Sequence, residues 1–160
     1  MKIGICAVGR MKAGPEKELA DRYIERFSKA GPSLGLEYSG LAEITESRAA
    51  NVDERRRDEA ARLRAGFPAG AALVVLDERG KSISSESFSD RLAGWRDSGQ
   101  KHCALLIGGP DGHDESLRAE ASLLLSFGSM TWPHQLARIM LAEQLYRAAT
   151  ILSGHPYHRA

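Results

Sequence analysis

Residues 103–112, Cys-Ala-Leu-Leu-Ile-Gly-Gly-Pro-Asp-Gly, join a continuous apolar run to a turn rich in glycine. A second apolar run, Ala-Ala-Leu-Val-Val-Leu, occupies residues 71–76. Short runs without polar alternation are typical of strands that are covered on both faces, as in parallel sheets. Between the two runs, residues 84–97 carry a helical pattern with Phe88, Leu92 and Trp95 on one side. This order of elements predicts a strand–helix–strand unit, and with it an α/β fold.

The rest of the chain continues the alternation of strands and helices on both sides of this unit. Further strands are predicted at residues 3–8, 34–41 and 123–127. Further helices are predicted at residues 15–29, at 52–64 (capped by Asn51 or Asp53), near 114 and at 133–152. We therefore expect a mostly parallel sheet. The charged run of the helix at 52–64 is interpreted as a solvent-exposed face, and contact with RNA phosphates is the alternative.

Length and composition indicate one globular domain that spans residues 1–160. Apolar residues make up 42% of the chain and charged residues 27%, values typical of globular proteins. Cys6 and Cys103 lie in separate apolar runs, so we expect two buried thiols and neither a disulfide nor a metal site. No apolar run reaches the roughly 18 residues that cross a membrane, and the N-terminus lacks the pattern of a signal peptide. A cytoplasmic protein is expected.

The charge balance excludes a protein that binds nucleic acid through its overall charge. The 22 basic side chains are almost matched by 21 acidic ones, which leaves a net charge of +1. Proteins that hold nucleic acid by charge alone normally have a strongly basic balance. The composition therefore gives no indication of a nucleic-acid partner.

Three predicted strands end in loops whose residues are suited to ligand binding. These loops are residues 76–81, 107–112 and 127–133. Ligands of open α/β sheets bind outside the carboxyl ends of the strands, and glycine lets a ligand approach the backbone closely. The alternative is that Gly-Gly-Pro and Asp-Gly are only turn sequences. The chain has no dinucleotide-binding glycine motif, P-loop, HExxH or GxSxG sequence, which sets aside the enzyme classes that these motifs mark.

The last predicted helix is apolar on two sides. One side carries Ala137, Leu141, Leu145, Ala148 and Leu152, and the other carries Leu136, Ile139, Met140 and Ile151. A helix with two apolar faces must bury both of them, and few other elements remain in the chain to cover the second face. We therefore predict a homodimer built on this helix.

Polar residues interrupt and follow the same helix. His134 and Arg138 lie near its N-terminal end, where the alternative to a functional role is a helix-capping and surface pair. The chain closes with His155, Tyr157, His158 and Arg159, which are chemically rich for a terminus that would otherwise fray.

Three segments of this sequence resemble the ribosomal RNA large subunit methyltransferase H family. They are LIGGPDG at 106–112, SMTWPHQLARIMLAEQLYRA at 129–148 and HPYHR at 155–159. Members of that family methylate N3 of a pseudouridine in 23S rRNA. The resemblance implies a SPOUT-type α/β fold with a C-terminal trefoil knot, a rare exception to unknotted chains. Because a net charge of +1 gives little general attraction to free RNA, we expect the substrate to be 23S rRNA within the assembled ribosomal particle. The resemblance also implies S-adenosylmethionine as the cofactor. The cofactor contacts that it implies are Leu76, Gly108, Gly109, Gly128, Ser129, Met130, Thr131, Trp132 and Pro133.

The resemblance further implies direct transfer of the methyl group to N3 of the base. Because the N3 proton must leave, the site needs a base or a group that stabilises negative charge. Arg147, held by Glu143, is predicted to stabilise that charge, while Tyr157 and His158 hold or deprotonate the base from the partner subunit. The residues predicted to contact RNA are His134, Arg138, His155, Tyr157, His158 and Arg159. Two alternatives remain: a SPOUT methyltransferase that acts on tRNA, and a non-catalytic nucleotide-binding ribosome factor.

Overall fold

A sheet of five parallel strands forms the centre of the molecule in the computed structural model, which describes residues 1–159. The strands are β1 (Lys2–Val8), β2 (Glu37–Ile44), β3 (Ala72–Lys81), β4 (His102–Ile107) and β5 (Leu123–Leu125). Their order across the sheet is β2-β1-β4-β3-β5, and every neighbouring pair is parallel. The prediction of an α/β fold is confirmed, and the sheet is more uniformly parallel than the sequence indicated.

Within residues 1–159, five α-helices connect and cover the strands. They are α1 (Pro15–Ala30), α2 (Val52–Ala65), α3 (Ser85–Asp97), α4 (Glu115–Ala119) and α5 (His134–Ser153). Their ends follow the local sequence: Asn51 caps α2 by accepting a hydrogen bond from the Glu54 amide at 2.9 Å. Ser84 caps α3 by accepting one from the Ser87 amide at 3.1 Å. None of these helices combines the length and apolar character that a membrane span requires.

Both faces of the sheet are buried, as the continuous apolar runs predicted. On one face, α1, α3 and α5 contribute Phe27, Leu92 and Leu141 to the larger apolar cluster. On the other face, α2 and α4 contribute Leu63 and Leu117 to a second cluster. Cys6 and Cys103 are buried and unpaired within the strands, as expected.

Three strand boundaries differ from the prediction, and for β2 and β5 the local structure gives the reason. β2 begins at Glu37, because residues 32–34 form a short 3-10 turn that ends at Gly35 with φ of +71°. β3 continues to Lys81, although its pairing with β4 ends at Leu76. β5 ends at Leu125. The hydroxyl of the next residue, Ser126, donates a hydrogen bond to the Gly128 carbonyl at 2.8 Å, and this bond turns the chain.

Candidate functional site

The second half of β3 (residues 76–79) and the loops that follow β4 and β5 meet at one edge of the sheet and enclose a cavity of about 460 Å³, here called the main cavity. The three strands are adjacent and parallel, so their carboxyl ends lie side by side. This is the edge at which open α/β sheets bind ligands. His134 and Ala137 of α5 close the cavity on one side. Its volume falls within the range of about 300–1,000 Å³ that is common for small-molecule sites.

Most of the residues predicted to contact the cofactor line the main cavity. Those present in its wall are Leu76, Gly108, Gly109, Gly128, Met130, Thr131, Trp132 and Pro133. Ser129 is exposed and is not among the lining residues. Its contact with the cofactor stays a prediction.

Two glycines of the wall have conformations or contacts that other residues would not tolerate. A Cβ atom on Gly109 would lie 2.9 Å from Cγ1 of Val8 and 3.2 Å from Oε2 of Glu59. Gly128 has φ of +114°, a backbone conformation that favours glycine. At both positions the main chain therefore forms the surface of the cavity, as the sequence predicted from the glycine-rich loops.

His113 is a residue of the cavity wall that sequence reasoning missed. It is 3% exposed, and its Nε2 atom has no hydrogen-bond partner among residues 1–159. Burial lowers the pKa of His113 to about 4, so the imidazole is neutral at physiological pH. Arg118 donates to the His113 carbonyl at 2.7 Å. The only signal for this residue in the sequence was its place directly after Asp-Gly. Burial of a loop residue leaves no local sequence pattern, so the sequence could not indicate that His113 is buried.

The charged helix α2 is a support for the cavity loop as well as a surface. Arg55 Nε donates to Oδ2 of Asp111 at 2.6 Å, and Arg56 Nε donates to the Asp111 carbonyl at 2.7 Å. The hydrogen bond from Arg55 lowers the pKa of Asp111 below its ordinary value. Our interpretation of this run as a purely solvent-exposed face was therefore wrong for Arg55 and Arg56, which hold the loop after β4 in place.

His134 and Arg138, both predicted to contact RNA, have different positions. His134 lines the main cavity, beside the carboxyl end of β1. The side chain of Arg138 is only 4% exposed; it forms an ion pair with Glu43 and donates to the Gly9 carbonyl at 3.1 Å. The prediction that Arg138 contacts RNA is corrected for this reason, because a buried, paired guanidinium cannot reach an external phosphate.

The four predicted catalytic residues lie together at the other end of α5. Arg147 Nε donates to Oε1 of Glu143 at 2.9 Å, and the Tyr157 hydroxyl donates to the same oxygen at 2.9 Å. His158 Nδ1 is 3.3 Å from Arg147 Nη1, and its Nε2 is 2.7 Å from Oε1 of Glu86. Burial, followed by hydrogen bonds to Tyr23 and Glu143, raises the pKa of Tyr157 above its ordinary value. We call these four residues the tail cluster.

The tail cluster does not line the main cavity of its own chain. Neither Glu143 nor Arg147 is in the cavity wall, and the same is true of Tyr157 and His158. His155 and Arg159, predicted to contact RNA, are exposed beside the cluster. Within one protomer the structure thus forms two separate groups, a cavity at one end of α5 and a polar cluster near its other end.

An uncovered apolar surface surrounds the N-terminal part of α5. Met130 is 71% exposed, Trp132 41% and Leu136 40%, and Ile139 and Met140 beside them are half-buried. The opposite side of the helix is buried against the sheet, as the predicted inward stripe required. Among residues 1–159 no group of three or more His, Cys, Asp or Glu side chains suited to a metal ion is found.

The sequence is similar to one protein family along almost its whole length. The sequence model described as "Predicted SPOUT methyltransferase" matches residues 1–158. Three relatives are named "Ribosomal RNA large subunit methyltransferase H", and the alignment with each covers all of both chains. They come from Mesorhizobium japonicum (62% identical), Brucella anthropi (58%) and Sinorhizobium medicae (59%).

Among solved structures, the chain is similar to the SpoU methyltransferase AviRb from Streptomyces viridochromogenes, determined in complex with the cofactor AdoMet. The two chains are 15% identical, with a TM-score of 0.40. The similarity covers 90% of the present chain and 56% of the other.

Proposed function

The chain belongs to the SPOUT methyltransferase family, and from this premise we propose that it transfers the methyl group of S-adenosylmethionine to N3 of a pseudouridine in 23S rRNA. Methylation of ribosomal RNA is the activity in the names of relatives that match it from end to end. The observation that carries the proposal is the main cavity, whose wall contains all but one of the residues expected to hold the cofactor. We also propose the trefoil knot of the family and a cytoplasmic location.

The residues of the main cavity suit a cofactor with an adenosine and an amino-acid part. When bound, S-adenosylmethionine supplies the activated methyl group. Gly108, Gly109 and Gly128 let a ligand approach the main chain closely, because no Cβ atom shields it. Leu76 and Trp132 offer apolar surface beside them. The role of these residues is to bind and orient the cofactor, which makes the transfer effectively unimolecular.

The tail cluster supplies the acid–base and charge-stabilising groups in our proposal. The Tyr157 hydroxyl stays protonated at physiological pH, because its pKa is raised, and it therefore serves as a hydrogen-bond donor. This leaves His158 as the group that accepts the N3 proton. Arg147 carries a permanent positive charge and, oriented by Glu143, stabilises the negative charge that develops on the base.

The separation of the tail cluster from the main cavity supports a homodimer in which the tail of one chain completes the site of its partner. The uncovered apolar surface of Met130, Trp132 and Leu136 borders the cavity, where a second copy would cover it. Isolated apolar side chains are common on protein surfaces, whereas adjoining ones mark interfaces. A symmetric dimer would bring the cavity of each chain to the surface that the two chains share.

Leu136→Glu is expected to convert the dimer into monomers. The side chain is 40% exposed in the single chain, so glutamate is tolerated there, whereas burial of an unpaired carboxylate at a dimer interface is costly. Sedimentation velocity at micromolar concentration checks the association state. The control is Leu41→Glu, which changes a leucine of similar exposure, 42%, on the edge strand β2. A wild-type protein that sediments as a monomer would contradict the dimer.

We propose that the substrate is the assembled ribosomal particle. With a net charge of +1, the chain lacks the general attraction to phosphates that drives binding to free RNA. A composite surface of folded RNA and ribosomal protein would supply the missing affinity. Methyl incorporation into protein-free 23S rRNA, isolated subunits and whole ribosomes, compared at one salt concentration, tests this. Equal rates on the protein-free RNA would contradict it.

The decisive test of the function is a nucleoside census of RNA from cells with and without the gene. We expect N3-methylpseudouridine to disappear from 23S rRNA in the deletion strain and to return when the purified enzyme and S-adenosylmethionine are added to its ribosomes. Loss of a methylated nucleoside from tRNA instead would favour the tRNA alternative. Unchanged RNA, from a protein that still binds the cofactor, would favour the non-catalytic ribosome factor.

A further inference from the structure

A second cavity of about 360 Å³ lies at the carboxyl ends of β1 and β2, next to the main cavity along the same edge of the sheet. We call it the side cavity. The six residues that line it are Gly9, Arg10, Thr45, Glu46, Ser47 and Arg48. The side cavity contains two arginines and one carboxylate, in a protein whose overall charge is nearly zero. The proposed function does not use either arginine.

The backbone on both sides of Arg10 is held by buried interactions. The carbonyl of Gly9 accepts a hydrogen bond from Nη2 of Arg138 at 3.1 Å. The amide of Met11 donates to Oε1 of Glu43 at 2.9 Å, and Glu43 is paired with Arg138. The ion pair of buried Arg138 with half-buried Glu43 therefore fixes the loop after β1, while the side chain of Arg10 between the two anchors remains exposed.

The backbone on both sides of Arg48 is held in the same way. The amide of Ser47 donates to Oε1 of Glu59 at 2.8 Å, and Glu59 is 4% exposed. The carbonyl of Ala49 accepts a hydrogen bond from Nη1 of Arg55 at 3.3 Å. Arg48, between these two anchors, is exposed. The loops after β1 and β2 are thus both held in place, and each contributes one arginine to the lining of the side cavity.

Neither arginine forms an ion pair within the part of the chain that the structure describes. Among residues 1–159, no carboxylate oxygen lies within ion-pair distance of the guanidinium of Arg10 or Arg48. Glu46 lines the same cavity without forming such a pair, which leaves a net positive charge in the lining. An arginine that is free, and whose backbone is held in place, is suited to an anion, because its planar guanidinium matches the oxygens of a phosphate.

Residues that contact both regions connect the side cavity to the main cavity. The ring of His134, in the main cavity, would lie 3.6 Å from a Cβ atom on Gly9. Glu59 holds Ser47 through Oε1, while its Oε2 would lie 3.2 Å from a Cβ atom on Gly109. Arg55 contacts both the loop of Arg48 and Asp111 of the main cavity. A ligand in the side cavity is therefore beside the main cavity.

We propose that the side cavity binds a phosphate of the RNA substrate, through Arg10 and Arg48, on a nucleotide adjacent to the one that is methylated. This inference rests on the proposed function and extends it to a specific contact with the RNA backbone. The contact carries no sequence information, but it sets the position of the RNA strand relative to the cofactor. It also explains how a nearly neutral protein binds RNA locally, through two arginines that form no ion pair within residues 1–159.

Arg10→Ala and Arg48→Ala test the proposal through steady-state kinetics on ribosomal particles across a range of salt concentrations. We expect each variant to lower kcat/KM by about tenfold, mainly through KM, and to reduce the salt dependence of binding by about one phosphate contact. Affinity for S-adenosylmethionine and the thermal unfolding midpoint should not change, because both side chains are exposed and outside the main cavity. Arg48→Lys should retain the salt dependence, since it keeps the charge.

The matched control is Lys101→Ala, which removes one exposed positive charge at the amino end of β4, the opposite edge of the sheet. It should leave kcat/KM and the salt dependence unchanged. If Arg10→Ala and Arg48→Ala behave like this control while the wild type methylates rRNA, the side cavity does not bind a phosphate, and the proposed function stands. A wild type that methylates no ribosomal RNA overturns both.

Discussion

Gly109→Val is expected to abolish binding of S-adenosylmethionine, with an increase in Kd of at least about 100-fold, or about 2.7 kcal/mol. A Cβ atom at this position would already lie 2.9 Å from Cγ1 of Val8. The loop cannot move away easily, because Arg55 and Arg56 tether Asp111 to α2. The valine must therefore displace the backbone that forms the cavity wall or project into the cavity. Isothermal titration calorimetry measures the loss.

The same substitution also strains the fold, since overpacking commonly destabilises proteins by about 1–3 kcal/mol. A second variant, Ala137→Phe, separates the two effects, because it narrows the main cavity from α5 and leaves Gly109 unchanged. The control is Gly94→Val in α3, where a Cβ atom would meet nothing within 4 Å. If Gly109→Val and Ala137→Phe both remain folded and bind S-adenosylmethionine like the wild type, the main cavity is not the cofactor site.

Deletion of residues 155–160 is expected to reduce methyl transfer by at least about 100-fold, the range for loss of a general base or a charge-stabilising group. Tyr157 and His158 lie outside the main cavity of their own chain, so cofactor affinity should change less than about threefold, under about 0.7 kcal/mol. Methylation of ribosomes and calorimetric titration of S-adenosylmethionine, measured on the same preparation, separate the two effects. Full activity of the shortened protein would show that the tail has no catalytic role.

A heterodimer of two different variants shows whether the tail acts on the cavity of its own chain or on that of the partner. The shortened chain keeps its cavity but lacks the tail, whereas the Gly109→Val chain keeps the tail but lacks cofactor binding. If the tail acts on the partner's cavity, a heterodimer of the two contains one complete site and should recover about half of the wild-type activity, since one of two sites in a symmetric dimer is restored.

The controls are the two homodimers, each of which should be inactive. Two different affinity tags isolate the heterodimer from both. If the tail acted on its own chain, no site in the heterodimer would be complete, and activity would stay at the level of the homodimers. That result would contradict our proposal for the partner's tail while leaving the proposed reaction intact.

Much of the fold was predictable because its signals are local. The apolar runs at 71–76 and 103–107 became β3 and β4, and the alternation of strands and helices required a largely parallel sheet. The loops of the main cavity were found for the same reason, since the carboxyl ends of parallel strands share one edge. A glycine-rich loop after a buried run marks this edge without knowledge of the strand order.

The interactions that tertiary structure added connect positions far apart in sequence. Arg138 pairs with Glu43, Arg55 pairs with Asp111, and the burial of His113 depends on the packing around the loop after β4. Each of these residues had an incomplete or incorrect interpretation from sequence, because a charged or polar residue has the same local pattern whether it meets solvent or a distant partner.

The sequence by itself determined the fold class, the family and the loops that form the main cavity, because apolar runs, glycine-rich turns and long motifs are properties of neighbouring residues. Only the tertiary structure decided which charges support the site and which remain free to bind a ligand. Arg138 and Arg55 are held within the protein, whereas Arg10 and Arg48 are left exposed in the side cavity. The strand order β2-β1-β4-β3-β5 decides which side chains come together, and it therefore decides which arginines find a partner within the protein.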